Sequence, residues 1–272
     1  MRRIIRTAVI VAAAVACTLA LAAGASAAPT WAPASSATIH PGVQTLTNGG
    51  QCTSNFVFYD ATNVYLGQAA HCSSQGGQTD TDGCSTTSLP IGTPVDIDGA
   101  STPGTLVYNS WITMHDDGET DANTCAFNDL ALVKIDPADV SKVNPSIPFW
   151  GGPTGTGGTA ATGSKVLSYG NSELRLGITQ LSPKEGLSLG QTGNGWSHEV
   201  YTVSPGIPGD SGSAFINRDG KAFGVLSTLQ IAPKVGANGV GDLSRELAYA
   251  NANGAGVTLA NGTEAFRGPL LP

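Results

Sequence analysis

The feature that most limits the fold is a series of short apolar or alternating runs separated by turn residues. Such runs occupy residues 56–58, 64–66, 105–107, 130–135, 165–169, 199–203 and 222–227, with Gly, Pro, Asn and Asp between them. Each is too short for a helix and the right length for a strand, so the pattern predicts an all-β sandwich or barrel. No repeat of strand and long amphipathic helix appears, which disfavours a doubly wound α/β sheet. One segment departs from the trend. Residues 242–251 place Leu243, Leu247 and Ala250 at helical spacing behind Asp242, a good N-cap residue, and predict one short helix near the C-terminus.

The N-terminus reads as a targeting segment. Arg2, Arg3 and Arg6 precede an uncharged apolar run to about Ala23, and Ala25-Ser26-Ala27 follows as a small-x-small site. That is the layout of a secretory signal peptide. Cleavage after Ala27 is expected, leaving 245 residues. A retained anchor is the weaker reading because no stop-transfer pattern follows. Cys17 lies inside the apolar run rather than at its end, which argues against lipidation. The remaining length suits one large domain or two tightly joined halves. No later segment is apolar enough to span a bilayer, so a secreted, extracellular chain with no membrane partner is expected.

Export agrees with the cysteines. Cys52, Cys72, Cys84 and Cys125 remain after the signal segment, and an even set in an oxidising compartment reads as two disulfides. No Cys-x-x-Cys pair points to zinc. Loss of the three signal arginines takes the formal net charge from −7 to −10, and residues 28–133 hold ten Asp or Glu without a Lys or Arg. A surface of that kind is a poor phosphate binder, so nucleic acid is excluded as a partner. The acidic stretches 80–83 and 116–119 lack full EF-hand spacing and read as solvated loops, with no metal and no cofactor expected. Residues 136–164, with Pro137, Pro145, Pro148 and Pro153 and then a Gly-rich stretch, resemble a crossing linker between two β-rich halves.

Three segments carry chemistry. Gly209-Asp210-Ser211-Gly212 is the first. Glycines beside a serine permit both a sharp turn that presents Oγ and amide groups aimed at a developing oxyanion, although an ordinary β-turn can carry the same four residues. A nucleophilic serine needs a base. The histidines are His40, His71, His115 and His198, and none follows Ser211. That rules out the Ser…Asp…His order of α/β-hydrolases. His71, in Ala69-Ala70-His71-Cys72, has a supporting context; His40, His115 and His198 read as ordinary surface or core residues. Asp129, in Asn128-Asp129-Leu130-Ala131-Leu132, sits at the edge of a buried strand, where a carboxylate must be paired. Its natural role is to orient the histidine.

In this order, at spacings of 58 and 82 residues, these segments resemble the signatures of the chymotrypsin-like serine proteases, nearest to their secreted bacterial branch, over roughly residues 41–260. The resemblance implies two six-stranded antiparallel β-barrels with the active site in the cleft between them. The first would cover about 41–140 and the second about 165–272, behind an N-terminal segment at 28–40. It implies His71 as base, Asp129 as its orienting partner, Ser211 as nucleophile, and the amides of Gly209 and Ser211 as the oxyanion hole. Ser227 matches the residue that supports the aspartate and opens the substrate-binding strand. Pro205, Gly206 and Ile207 match a pocket wall, with Thr228 and Leu229 continuing the substrate strand. A Cys52–Cys72 disulfide is implied beside His71, leaving Cys84 for Cys125. The chain departs from the pattern at Ser213, where animal members usually have Gly, and at Thr228 and Leu229, where an aromatic or small residue and then Gly are usual.

The implied activity is peptide-bond hydrolysis on a peptide or protein substrate. The rival readings are a catalytically weak or inactive protease-like binding protein and an esterase on the same fold. The wall at 205–208 contains no carboxylate, which predicts no preference for Lys or Arg and a weak one for apolar residues. Asp210 matches the carboxylate that animal members pair with a newly cleaved N-terminus. With no Lys or Arg in residues 28–133, a fixed cation is expected instead: Arg175 first, Arg245 second.

Overall fold

The computed structural model describes residues 28–76, 81–230 and 233–270. The expected signal segment and Asp80 lie outside the described residues. The first half forms β1 (Gln44–Thr47), β2 (Gly50–Thr53), β3 (Val57–Tyr59), β4 (Val64–Ala69), β5 (Pro94–Ile97), β6 (Gly104–Asn109) and β7 (Leu130–Lys134). The second forms β8 (Lys165–Tyr169), β9 (Pro183–Thr192), β10 (Ser197–Thr202), β11 (Ala214–Asn217), β12 (Ala222–Leu229) and β13 (Asn238–Asp242), and the chain closes with β14 (Thr258–Leu259). Each of the seven runs read from the sequence lies within or across one of these strands.

The second-half strands make a closed barrel in the order β10-β13-β12-β11-β8-β9. The first-half strands make an eight-stranded sheet, β14-β3-β4-β7-β6-β5-β1-β2. Only Ser54, Asn55 and Phe56 separate β2, at one end of that row, from β3, near the other. The row therefore wraps on itself as six continuous runs, with β14 added outside from the C-terminal end. The architecture is all-β in two barrels, and the segment between β7 and β8 contributes no strand to either.

Alternation explains why both barrels fill. In β7, Ala131 and Val133 point into a core with Val57, Leu66, Val95 and Leu106, while Leu130 and Leu132 point the other way. That second direction meets Leu167, Ile216, Val225 and Leu243 from the other half, together with Trp150 of the connecting segment. Val166, Val200, Phe215, Phe223 and Val240 fill the second barrel. The strands are thus buried on both faces, and a shared apolar layer fixes one barrel against the other.

The helical content exceeds the sequence reading. α3 (Leu243–Ala252) is the expected helix, with Asp242 accepting the Arg245 amide at its N-cap. Two more helices flank the acidic stretch 116–119 read as a loop: α1 (Ser110–Asp117) runs into its first two residues and α2 (Ala122–Phe127) follows it. Asn109 accepts the amides of Trp111 and Ile112, Gly118 ends α1 at φ 66°, and Asp121 caps α2. These caps set the local structure where apolar periodicity is weak. A Cys84–Cys125 disulfide ties α2 to the preceding loop.

Candidate active site

β4 and β7 pair antiparallel, with Ala69 opposite Leu130. That register brings the residue two beyond β4 against the residue just before β7. His71, on a short 3₁₀ turn (Ala70–Ser73), donates its amide to Asp129 Oδ1 at 2.9 Å, and its Nδ1 lies 2.7 Å from Asp129 Oδ2. Ser227 donates its hydroxyl to the same Oδ2 at 2.6 Å. The Asp129 carbonyl accepts the Ala70 amide at 2.9 Å. A Cys52–Cys72 disulfide joins the turn to β2. Asp129 is buried, whereas a quarter of the His71 side chain is exposed. Burial alone would lower the proton affinity of the imidazole. The charge and hydrogen bond of Asp129 outweigh it, so His71 titrates above its ordinary value of 6.5.

Ser211 reaches this place from the opposite barrel. Its carbonyl accepts the Thr53 amide at 2.8 Å, and the Gly212 amide donates to Leu226 at 2.7 Å. Gly212 has φ 88°, and a Cβ there would stand 2.6 Å from the Thr53 carbonyl oxygen and 2.8 Å from the Ala69 nitrogen. Glycine at 212 thus lets the serine turn press against the end of β4, two residues from His71. Gly209 has φ 91°, and a Cβ there would lie 2.1 Å from Gln51 Oε1. Its carbonyl is turned into the protein, accepting Thr53 Oγ1 at 2.8 Å and Gln51 Nε2 at 3.0 Å. Among the hydrogen bonds of the described residues, none uses the amides of Gly209 or Ser211.

The turn is anchored by Asp210, which is fully buried. Arg175 Nη2 reaches its Oδ2 at 2.5 Å, and Lys184 Nζ reaches the same oxygen at 3.0 Å. The amides of Ser172 and Ile207 donate to it at 3.0 and 3.1 Å. Burial would raise the Asp210 carboxyl; the Arg175 hydrogen bond and the Lys184 charge hold it below its ordinary value. Arg245, the second candidate, instead lies over the Trp196 ring, 5.7 Å from its centroid. Ser213 donates its hydroxyl to the Asp210 carbonyl at 2.5 Å, so the serine at this position locks the far side of the turn.

No protein-family model matches the chain, and no curated protein matches it in sequence. Its backbone does match solved structures. Thermobifida fusca protease A matches at a TM-score of 0.53 and 19% identity, over 82% of this chain and 99% of that one. A glutamic acid-specific serine protease matches at 0.51 and 16%, over 82% and 100%. Cellulomonas bogoriensis chymotrypsin matches at 0.50 and 17%, over 82% and 98%. The chain has the chymotrypsin-like fold.

Within the chymotrypsin-like fold, the residues matched to substrate binding lie on two segments joined by one side chain. Asn238 links them: its Oδ1 accepts the Gly206 amide at 2.8 Å, and its Nδ2 donates to the Thr228 carbonyl at 3.2 Å. Pro205 offers its carbonyl to Arg175 and Lys184, and Ile207 donates its amide to Asp210. On β12, Thr228 pairs with Gly239 and Leu229 with Asn238. A Cβ at 239 would lie 2.3 Å from Thr228 Oγ1, so Gly239 makes room for the threonine. Leu229 is exposed. β11 pairs with β12 only as far as Val225, so residues 227–229 pair with β13 and not with β11.

Three residues here were not singled out in the sequence. Lys184 is a wholly buried lysine, and burial pulls its ammonium below the usual lysine range despite Asp210. Asn238 joins the segments that hold Gly206 and Thr228. Glu246, buried on α3, accepts the Asp129 amide at 2.9 Å. Glu246 was legible in principle, because it stands three residues after Leu243 and four before Ala250, on the helix's apolar face. Of the other histidines, His40 donates Nδ1–H to the Pro41 carbonyl and His115 is exposed. His198 is wholly buried in the second barrel with Nε2 2.9 Å from Asp242.

Proposed function

We propose that the protein is a secreted serine endopeptidase acting through an acyl-enzyme on Ser211. The observation that carries this reading is the grip of Asp129 on His71 at both its amide and Nδ1. That grip sets the imidazole tautomer and leaves Nε2 as the ring nitrogen that can take a proton from Ser211. The Ser211 hydroxyl attacks the scissile carbonyl carbon and forms a C–O bond as His71 Nε2 takes its proton. The oxyanion is received by the amides of Gly209 and Ser211. The C–N bond then breaks as His71 returns the proton to the leaving amine. Water repeats the sequence with Ser211 as leaving group.

An extended substrate would add as a strand to the edge at Ser227, Thr228 and Leu229, with a side chain between that edge and Pro205, Gly206 and Ile207. Two disulfides fit an oxidising compartment, and no helix of the described residues is long and apolar enough to cross a membrane. The test is cleavage of a library of internally quenched peptides, with products assigned by mass and Ser211→Ala as control. Cleavage by wild type and none by S211A supports an endopeptidase. Ester hydrolysis without peptide cleavage refutes it.

A further inference from the structure

Behind the proposed triad lies a second buried carboxyl group with no cation. Glu246 is wholly buried in the middle of α3, and its Oε1 accepts the Asp129 amide at 2.9 Å. Its Oε2 has no partner among the described residues. The groups that face it are of the wrong sign for a carboxylate. They are Asp129 ahead of β7 and Asp242 at the end of β13, with the Tyr108 hydroxyl on β6 close enough to couple to it. The cation on its own helix, Arg245, is turned away over Trp196. His71 and His198 are already held by Asp129 and Asp242. The Asn128 amide group, next along the chain from Asp129, is also buried without partners. A charge on Glu246 would therefore be a third carboxylate in a dry space.

We propose that Glu246 is a positioning residue for the triad, a neutral carboxyl group that fixes Asp129 from behind. With this bond every polar group of Asp129 is engaged: its carboxylate by His71 and Ser227, its carbonyl by Ala70 and its amide by Glu246. The acceptor holds the residue that orients His71, while the absence of charge leaves the basicity of His71 to Asp129 alone. Burial, with the charges of Asp129 and Asp242 added, pushes the Glu246 carboxyl well above its ordinary value, in agreement with the geometry. The inference rests on the reading of His71, Asp129 and Ser211 as a working triad.

Two variants and one spectrum test it. Glu246→Gln keeps a neutral acceptor; Glu246→Met keeps the bulk and removes the acceptor. The proposal expects E246Q to hold kcat/KM within about twofold of wild type, with the acidic limb of its pH profile unmoved. It expects E246M to lose about tenfold in kcat at unchanged KM, the size of one hydrogen bond that holds a reacting group. It also expects the infrared band of a protonated carboxyl group at pH 7 in wild type, lost in E246Q. That spectral arm needs no activity, so an inactive wild type with the band intact counts against the triad reading and not against a neutral Glu246. If E246M fails to fold, the E246Q profile and the spectrum decide. Missing neutral-carboxyl absorption, an acidic limb moved down by about one unit in E246Q, or full activity in E246M overturns the proposal.

Discussion

Arg175 meets Asp210 at 2.5 Å in the residue just before Ser211, so the serine turn is braced by a cation from its own barrel. The zymogen switch of animal proteases supplies this cation from a freed N-terminus. Here Arg175 and Lys184 already occupy the carboxylate from within residues 165–272. Ion pairs this deeply buried cost more to break than their net contribution suggests, because the partner left behind stays desolvated. Arg175→Ala is expected to lower folding stability by about 3–5 kcal/mol and activity with it. Exposed Arg218→Ala is expected to change stability by less than about 0.5 kcal/mol. Chemical denaturation of the two variants side by side checks this; equal effects would remove Arg175 from the account.

The pH dependence has a defined sign. Asp129 raises the proton affinity of His71 above its ordinary 6.5, and the base must be neutral to act. The acidic limb of kcat/KM is therefore expected above pH 6.5. Asp129→Asn removes the charge and leaves the opposing effect of burial, so that limb moves down in pH, with kcat falling on the order of 10⁴-fold. A kcat/KM profile of both proteins over pH 5–9 measures it, and an unmoved limb contradicts the pairing.

Glu246 predicts an unusual stability profile. Its carboxyl is raised in the folded chain, so the folded state holds a proton that the unfolded state releases near the ordinary 4.5. Its contribution is fully present below that pH and declines as pH rises toward the folded value. Glu246→Gln has no such proton to lose. The Tm difference between E246Q and wild type is therefore expected to grow in favour of the variant from about pH 4 to pH 8, as thermal melts will show.

For the proposed substrate pocket, specificity follows from the charges behind Pro205. The Pro205 carbonyl binds two cations that share one carboxylate, and neither wall contains an acid. A lysine or arginine side chain entering between Pro205 and Thr228 finds no counter-ion. Peptide-library profiling is expected to return apolar residues before the cleaved bond. A profile dominated by Arg or Lys would contradict the assigned walls.

The all-β class was legible because seven strands carry dense apolar runs, and the C-terminal helix because Leu243, Leu247 and Ala250 repeat at helical spacing. Two of the strands that escaped notice have side chains that do something other than fill a core. β9 holds Lys184, Glu185 and Gly186; the lysine serves Asp210, and the glycine lets Tyr201 approach, since a Cβ there would lie 1.8 Å from the Tyr201 carbonyl oxygen. β13, Asn238–Asp242, is wholly buried, yet only Val240 is a large apolar residue. Its Asn238 and Asp242 are spent on Gly206 and His198. α1 and α2 were hidden because six to eight residues give little periodicity, while their caps, Asn109, Gly118 and Asp121, were present in the sequence. Arg175 was readable through the resemblance: Asp210 matches a carboxylate that needs a cation, and some bacterial relatives place an arginine after the first strand of the second barrel. Lys184 was not, because nothing local distinguishes a buried lysine from an exposed one.

Labelling with a fluorophosphonate probe tests the central claim most directly. The account predicts a single adduct on the peptide that contains Ser211 in the folded chain, and none in His71→Ala, because without its base the hydroxyl is not activated. An adduct that persists in H71A, or that maps to a serine other than Ser211, would contradict the triad.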